Sequence, residues 1–144
     1  MEYILNREYD VAKQQESTLT KDNVRYISFY NKLASAGTGQ ILFDDIPMEL
    51  IAIPDIPQYK RVNYALAVNG GSMEPEFYDG DIILIESTHE IRKGEIGIFV
   101  VDNEAYIKEL GDQILISLNQ EYDNIPLTEY SRCLGRVVGK LEKL

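Results

Sequence analysis

The apolar residues of this chain fall in short runs, rich in β-branched and aromatic side chains and broken by Gly, Pro, Asn and Asp. That is the pattern of strands joined by tight turns. Val24-Arg25-Tyr26-Ile27-Ser28-Phe29-Tyr30 reads as a strand, and further short strands are expected over 40–43 and 48–53, on either side of Asp44-Asp45-Ile46-Pro47. The proline-spaced Pro54-Asp55-Ile56-Pro57 then wraps the sheet. Residues 63–69 and 81–86 read as two strands that grip a loop between them. After the Arg92-Lys93-Gly94 turn, residues 95–101 and 104–110 form a hairpin across Asp102-Asn103, and Gly111-Asp112 leads into a strand over 113–118. A loop-rich return over 119–130 precedes a last strand over 134–141, with Gly135 and Gly139 expected on one face. Residues 1–23 are mostly polar and read as an arm or linker, with room for a short helix over 2–15. The reading is an all-β domain over 24–144.

Composition narrows the class. A chain of 144 residues with 44% hydrophobic residues suits one domain that buries a core without disulfides or metal. The single cysteine, Cys133, has no internal partner and reads as a buried small hydrophobe rather than a reactive thiol. No secretory signal or membrane-length apolar run appears, so the expected compartment is the cytoplasm and no membrane partner is expected. Fourteen basic residues against 24 acidic ones give a formal net charge of −10, which opposes a phosphate backbone. The ten tyrosines read as packing groups rather than base-stacking platforms. With no Cys/His cluster and no glycine-rich phosphate loop, neither a metal nor a cofactor is expected.

The candidate chemistry lies in Gly70-Gly71-Ser72-Met73-Glu74-Pro75, continued by Glu76-Phe77-Tyr78-Asp79-Gly80-Asp81. Two glycines let the backbone turn sharply and present the Ser72 hydroxyl on a bend bordering apolar strands. A serine needs a base, and the only histidine, His89, sits in the polar Glu86-Ser87-Thr88-His89-Glu90 loop, which argues against a histidine triad. Lys108, in the strand Glu104-Ala105-Tyr106-Ile107-Lys108-Glu109-Leu110, is the better candidate, because burial drives a lysine toward the neutral amine that accepts a proton. The oxyanion donors would be the backbone N–H groups of Ser72 and Gly71.

Gly-Gly-Ser-Met-Glu-Pro, then Asp-Gly-Asp, then Ala-Tyr-Ile-Lys-Glu-Leu resemble the catalytic domain of LexA and lambda-type phage repressors, over roughly residue 24 to the end. The resemblance implies a domain of short, strongly bent sheets and a serine peptidase with a Ser72/Lys108 dyad that cuts its own chain at a small Ala-Gly bond. Ala36-Gly37, in the small-residue run over 34–39, is the expected cleavage site. Gly71 departs from the Asp that usually precedes the family's serine. The resemblance further implies a homodimer through the C-terminal segment. It implies a RecA–single-stranded-DNA filament as co-protease in the DNA-damage response. Operator DNA would be reached only through a helix-turn-helix domain that this chain is expected to lack. A UmuD-like accessory subunit of a translesion polymerase, or a catalytically idle dimerisation module, are the alternatives. Signal peptidases share a similar serine loop and lysine base but need a membrane anchor, for which no segment is seen.

Overall fold

The computed structural model describes residues 23–31 and 48–141. The expected helix over 2–15, the arm, the strand over 40–43 and the segment holding Ala36 and Gly37 lie outside the described residues, apart from Asn23 at the end of the arm. Within them the chain is almost wholly β: β1 Val24–Tyr30, β2 Glu49–Pro54, β3 Tyr64–Ala67, β4 Ile82–Ser87, β5 Ile96–Val101, β6 Glu104–Leu110, β7 Ile114–Ile116, β8 Ile125–Pro126 and β9 Arg132–Lys140. A 3-10 turn at Pro57–Tyr59 joins β2 to β3. The Arg25 guanidinium holds that turn in place by donating to the carbonyls of Tyr59 and Val62.

The described strands join one sheet in the order β2-β1-β3-β4-β9-β5-β6-β7-β8. Every pairing is antiparallel except β1 with β3, which run parallel from Ser28 opposite Tyr64 to Tyr30 opposite Leu66. The hairpin across Asp102-Asn103 forms as expected. Both residues adopt positive φ, 51° and 69°, the left-handed pair that matches the right-handed twist of a two-residue hairpin.

Strands β3 and β4 read as unbroken apolar runs because both of their faces are covered. Ala65, Ala67, Ile82 and Leu84 pack with Ile27, Phe29, Ile53 and Leu141 on one side. Tyr64, Leu66, Ile83 and Ile85 pack with Tyr30, Val68, Met73, Phe77 and Ile98 on the other. Tyr30 and Tyr64 meet edge to face, 5.9 Å apart, a favourable arrangement for two aromatic rings. A third cluster, around Phe99, Val101 and Leu115, closes the far end and takes in Cys133.

The expectation that Gly135 and Gly139 share a face is corrected by the register of β9. Val137 lies opposite Ile85, but Gly139 lies opposite Leu84, so Val138 is an extra residue and the alternation inverts across it. A Cβ at Gly135 would strike Ile85 Cγ2 at 2.5 Å, whereas one at Gly139 would meet only the Tyr59 ring at 3.7 Å, on the opposite face. The bulge is invisible in a sequence that alternates on either side of it.

Close approach of β5 and β9 is a packing demand made by the backbone itself. A Cβ on Gly97 would lie 2.6 Å from the carbonyl oxygen of Gly135, a backbone atom with nowhere to go. Gly97→Ala is therefore expected to destabilise the domain by about 1–3 kcal/mol, the usual cost of overpacking, read as a lower urea midpoint at unchanged slope.

Candidate active site

The loop between β3 and β4 is held at its base, in its middle and from beneath. At the base, Val68 N–H donates to the Asp81 carbonyl and Gly80 N–H to the Val68 carbonyl, both at 2.8 Å. In the middle, Gly70 takes a φ of +89°, open at no cost only to glycine, and its N–H donates to Asp79 Oδ1 at 2.7 Å. The Asp81 carboxylate accepts from Tyr78 N–H at 2.8 Å, so the Asp79-Gly80-Asp81 turn braces the loop with both of its carboxylates. From beneath, Met73 and Phe77 enter the core beside Ile83, Ile85 and Ile98, and Met73 is 1% exposed. Ser72 precedes the most deeply seated side chain of the loop and is itself left half-buried at the rim.

Lys108 sits within β6, opposite Gly97 on β5, and is 4% exposed. Its Nζ donates to Ser72 Oγ at 2.8 Å and lies 5.7 Å from the centroid of the Tyr106 ring. Burial pushes the amine below the usual lysine range, because desolvation penalises the ammonium and leaves the neutral amine untouched. The charged amine donates to Ser72, whereas the neutral amine has a lone pair for the serine proton. Together the two side chains line a cleft of about 130 Å³, walled by residues 66–69 on one side and 105–107 on the other.

The sequence singled out Ser72 and Lys108 from positions 36 residues apart, and the structure brings them into hydrogen-bond contact. The N–H groups of Gly71 and Ser72 donate to no acceptor among the described residues, which leaves both available to an external oxygen. Gly71 does not adopt positive φ. The space a side chain would take there is filled by Glu74 Oε2, 3.0 Å from an ideal Cβ, and by the Tyr122 hydroxyl, at 3.3 Å. His89 is exposed and places Nδ1 3.1 Å from the Cys133 carbonyl. Cys133 is half-buried, and burial raises its thiol pKa, which keeps it protonated. Among the described residues, no group of three or more His, Cys, Asp and Glu side chains is placed to hold a metal ion, and no helix is long and apolar enough to cross a membrane.

One contact to the loop had no signal in the sequence. Asn119, in the return after β7, donates from Nδ2 to the Gly71 carbonyl at 3.0 Å and from its backbone N–H to the Ser72 carbonyl at 2.9 Å. Such a contact joins segments 48 residues apart. No local pattern announces it.

A family model described as Peptidase S24-like matches residues 28–138. Among curated proteins, the chain is 31% identical over 106 residues to a LexA repressor of Clostridium kluyveri, covering 64% of this chain and 52% of that protein. It is 39% identical over 74 residues to a LexA repressor of Leptospira biflexa, covering 51% and 37%. A LexA repressor of Actinobacillus pleuropneumoniae is 37% identical over 89 residues, covering 55% and 41%. The chain thus spans about half the length, or less, of these relatives.

The buried amine carries a stability signature. A lysine whose folded pKa is lowered binds fewer protons folded than unfolded between its two pKa values, so its charged form costs stability at neutral pH and that cost fades as pH rises toward the free-lysine value. Lys108→Met is expected to raise stability at pH 7, with the difference narrowing toward pH 10. Urea melts of both proteins at each pH measure it, and a gap that widens with pH contradicts a lowered lysine pKa.

Proposed function

Because the chain belongs to the Peptidase S24-like family, that of LexA-type repressors, we propose that it is a self-cleaving serine peptidase domain that cuts between Ala36 and Gly37. The observation that carries this reading is the 2.8 Å contact between a buried lysine amine and the hydroxyl of a serine on a braced loop. Lys108, once neutral, takes the Ser72 proton as Oγ attacks the carbonyl carbon of Ala36. The resulting oxyanion is held by the N–H groups of Gly71 and Ser72. As the tetrahedral intermediate collapses, the Ala36–Gly37 C–N bond breaks and Lys108 passes its proton to the departing Gly37 amine. Water then hydrolyses the ester on Ser72, giving up a proton to Lys108 and regenerating the hydroxyl.

A small-residue run fits the reading, because an extended backbone carrying only small side chains enters a narrow cleft most easily. The reaction is intramolecular, so its rate follows how often the segment docks. The similarity to LexA repressors supports a role in the DNA-damage response, with a RecA–single-stranded-DNA filament favouring the docked state. The same similarity supports a cytoplasmic homodimer, from which cleavage would part the DNA-binding domain and so end repression. Operator contact belongs to a DNA-binding domain rather than to this acidic one, whose formal net charge is −10.

Intact mass of the purified protein after incubation is expected to show two fragments joined in the parent at Ala36-Gly37. Ser72→Ala is expected to stay folded and uncut; a cut elsewhere, or cleavage by Ser72→Ala, removes the assignment. Cleavage of the parent is expected to accelerate as pH rises and to level off below the free-lysine pKa of about 10.4, because burial lowers that of Lys108. Lys108→Arg holds its charge throughout this range and is expected to be inactive. A flat profile for the parent, or normal cleavage by the arginine variant, takes Lys108 out of the reaction.

Light scattering at tens of micromolar, on the order of ordinary weak-dimer concentrations, is expected to report a dimer. A monomer at that concentration removes the dimer from the reading.

A further inference from the structure

The reach of Asn119 to the nucleophile loop has a stereochemical consequence. A trans peptide is planar, so its C=O and N–H point in opposite directions. Whatever holds the Gly71 carbonyl therefore also fixes where the Ser72 N–H points, and whatever holds the Ser72 carbonyl fixes the Met73 N–H. Asn119 holds both carbonyls, with Nδ2 at 3.0 Å and its backbone N–H at 2.9 Å. One residue thus clamps the two peptide planes on either side of the nucleophile.

The side-chain amide is itself locked. Asn119 Oδ1 accepts from Glu121 N–H at 3.0 Å, and the Asn119 carbonyl accepts from Tyr122 N–H at 3.0 Å. A flipped amide would set Oδ1 against the Gly71 carbonyl and its NH2 against the Glu121 N–H, losing both bonds, so the donor faces Gly71. The residue is braced by its own turn before it braces the loop.

We propose that Asn119 is a positioning residue that aims the Ser72 N–H at the oxyanion, a role that rests on the peptidase reading above. The Met73 and Phe77 side chains fix how deep the loop sits but hydrogen-bond to neither peptide. The Gly71 carbonyl is held by Glu74 N–H at 3.2 Å and more closely by Asn119 Nδ2 at 3.0 Å, and among the described residues only Asn119 holds the Ser72 carbonyl as well. The polar clamp supplies what the apolar anchor lacks. A rotated peptide would leave the Ser72–Lys108 contact intact while turning the N–H away, so proton transfer and oxyanion support are separable.

Asn119→Asp tests this most cleanly. It keeps the size, the oxygen that accepts from Glu121 and the backbone donor to Ser72, leaves the Glu74 N–H on the Gly71 carbonyl, and replaces the side-chain donor to Gly71 with a carboxylate oxygen that repels the carbonyl. Asn119→Ala removes the side chain and serves as a second variant. The self-cleavage rate against pH is measured for the parent and both variants, alongside phosphonylation of Ser72 by a fluorophosphonate probe, whose phosphoryl oxygen uses the same donors. Losing one oxyanion donor slows catalysis by about 10²–10³-fold, so a plateau rate at least roughly tenfold lower is expected for a donor mis-aimed but present. The probe is expected to react correspondingly slowly, and the inflection pH set by Lys108 is expected to hold.

A merely structural role moves the inflection too, because a loosened loop lets water to the lysine. Variants with the parent's plateau and labelling rates, or with a slower rate and a displaced inflection, overturn the positioning role and leave the peptidase reading standing. A parent that neither cleaves nor labels at Ser72 overturns the peptidase reading, and the positioning role falls with it.

Discussion

An ammonium group inside an apolar sheet is expensive, and the architecture around Lys108 answers that constraint. Lys108 is 4% exposed, its side chain's one hydrogen bond among the described residues goes to Ser72 Oγ, and the Tyr106 ring lies near enough to offer its negative face. Neither partner carries a full negative charge. The site therefore offers the ammonium only uncharged partners against the cost of burial, which is the environment a proton acceptor requires. A carboxylate in place of either neighbour would hold the proton on the amine. The rest of the domain can be understood as what is needed to bring a neutral hydroxyl to that nitrogen and keep it there.

Three kinds of force share that work. Apolar burial of Met73 and Phe77 fixes the depth of the serine loop, carboxylates of Asp79 and Asp81 fix its curvature, and the amide of Asn119 fixes the orientation of its peptides. Each acts mainly on a different degree of freedom, with the Glu74 N–H adding a second, longer bond to the Gly71 carbonyl at 3.2 Å. The lysine side is simpler. It rides on a strand paired on both edges, by β5 and by β7, whose position is set by the sheet as a whole.

Much of this was legible in the residues, because strands and tight turns are written locally. Val24–Tyr30 and Glu104–Leu110 have the bounds their composition predicts, and Asp102-Asn103 makes the turn expected of it. The strand expected over 63–69 is shorter, Tyr64–Ala67, because Val68 already bonds to Asp81 to close the loop. The site was half legible. Ser72 and Lys108 each sit in a distinctive string, whereas Asn119 lies in a return whose composition says only that it is a loop. The inverted alternation after Val138 escaped for a related reason: a bulge depends on the partner strand, and a sequence read alone has no partner.

The distance along the chain between Ser72 and Lys108 has a bearing on biosynthesis. Thirty-six residues separate them, and the strand carrying the lysine is held through β5 and β9, the latter made after both. At roughly 5–20 residues per second, the serine leaves the ribosome about 2–7 s before the lysine, and the Asn119 clamp and β9 come later still. A nascent chain therefore carries a hydroxyl of ordinary reactivity throughout its synthesis. Completion of the sheet, rather than any separate inhibitor, marks the moment at which the pair first exists.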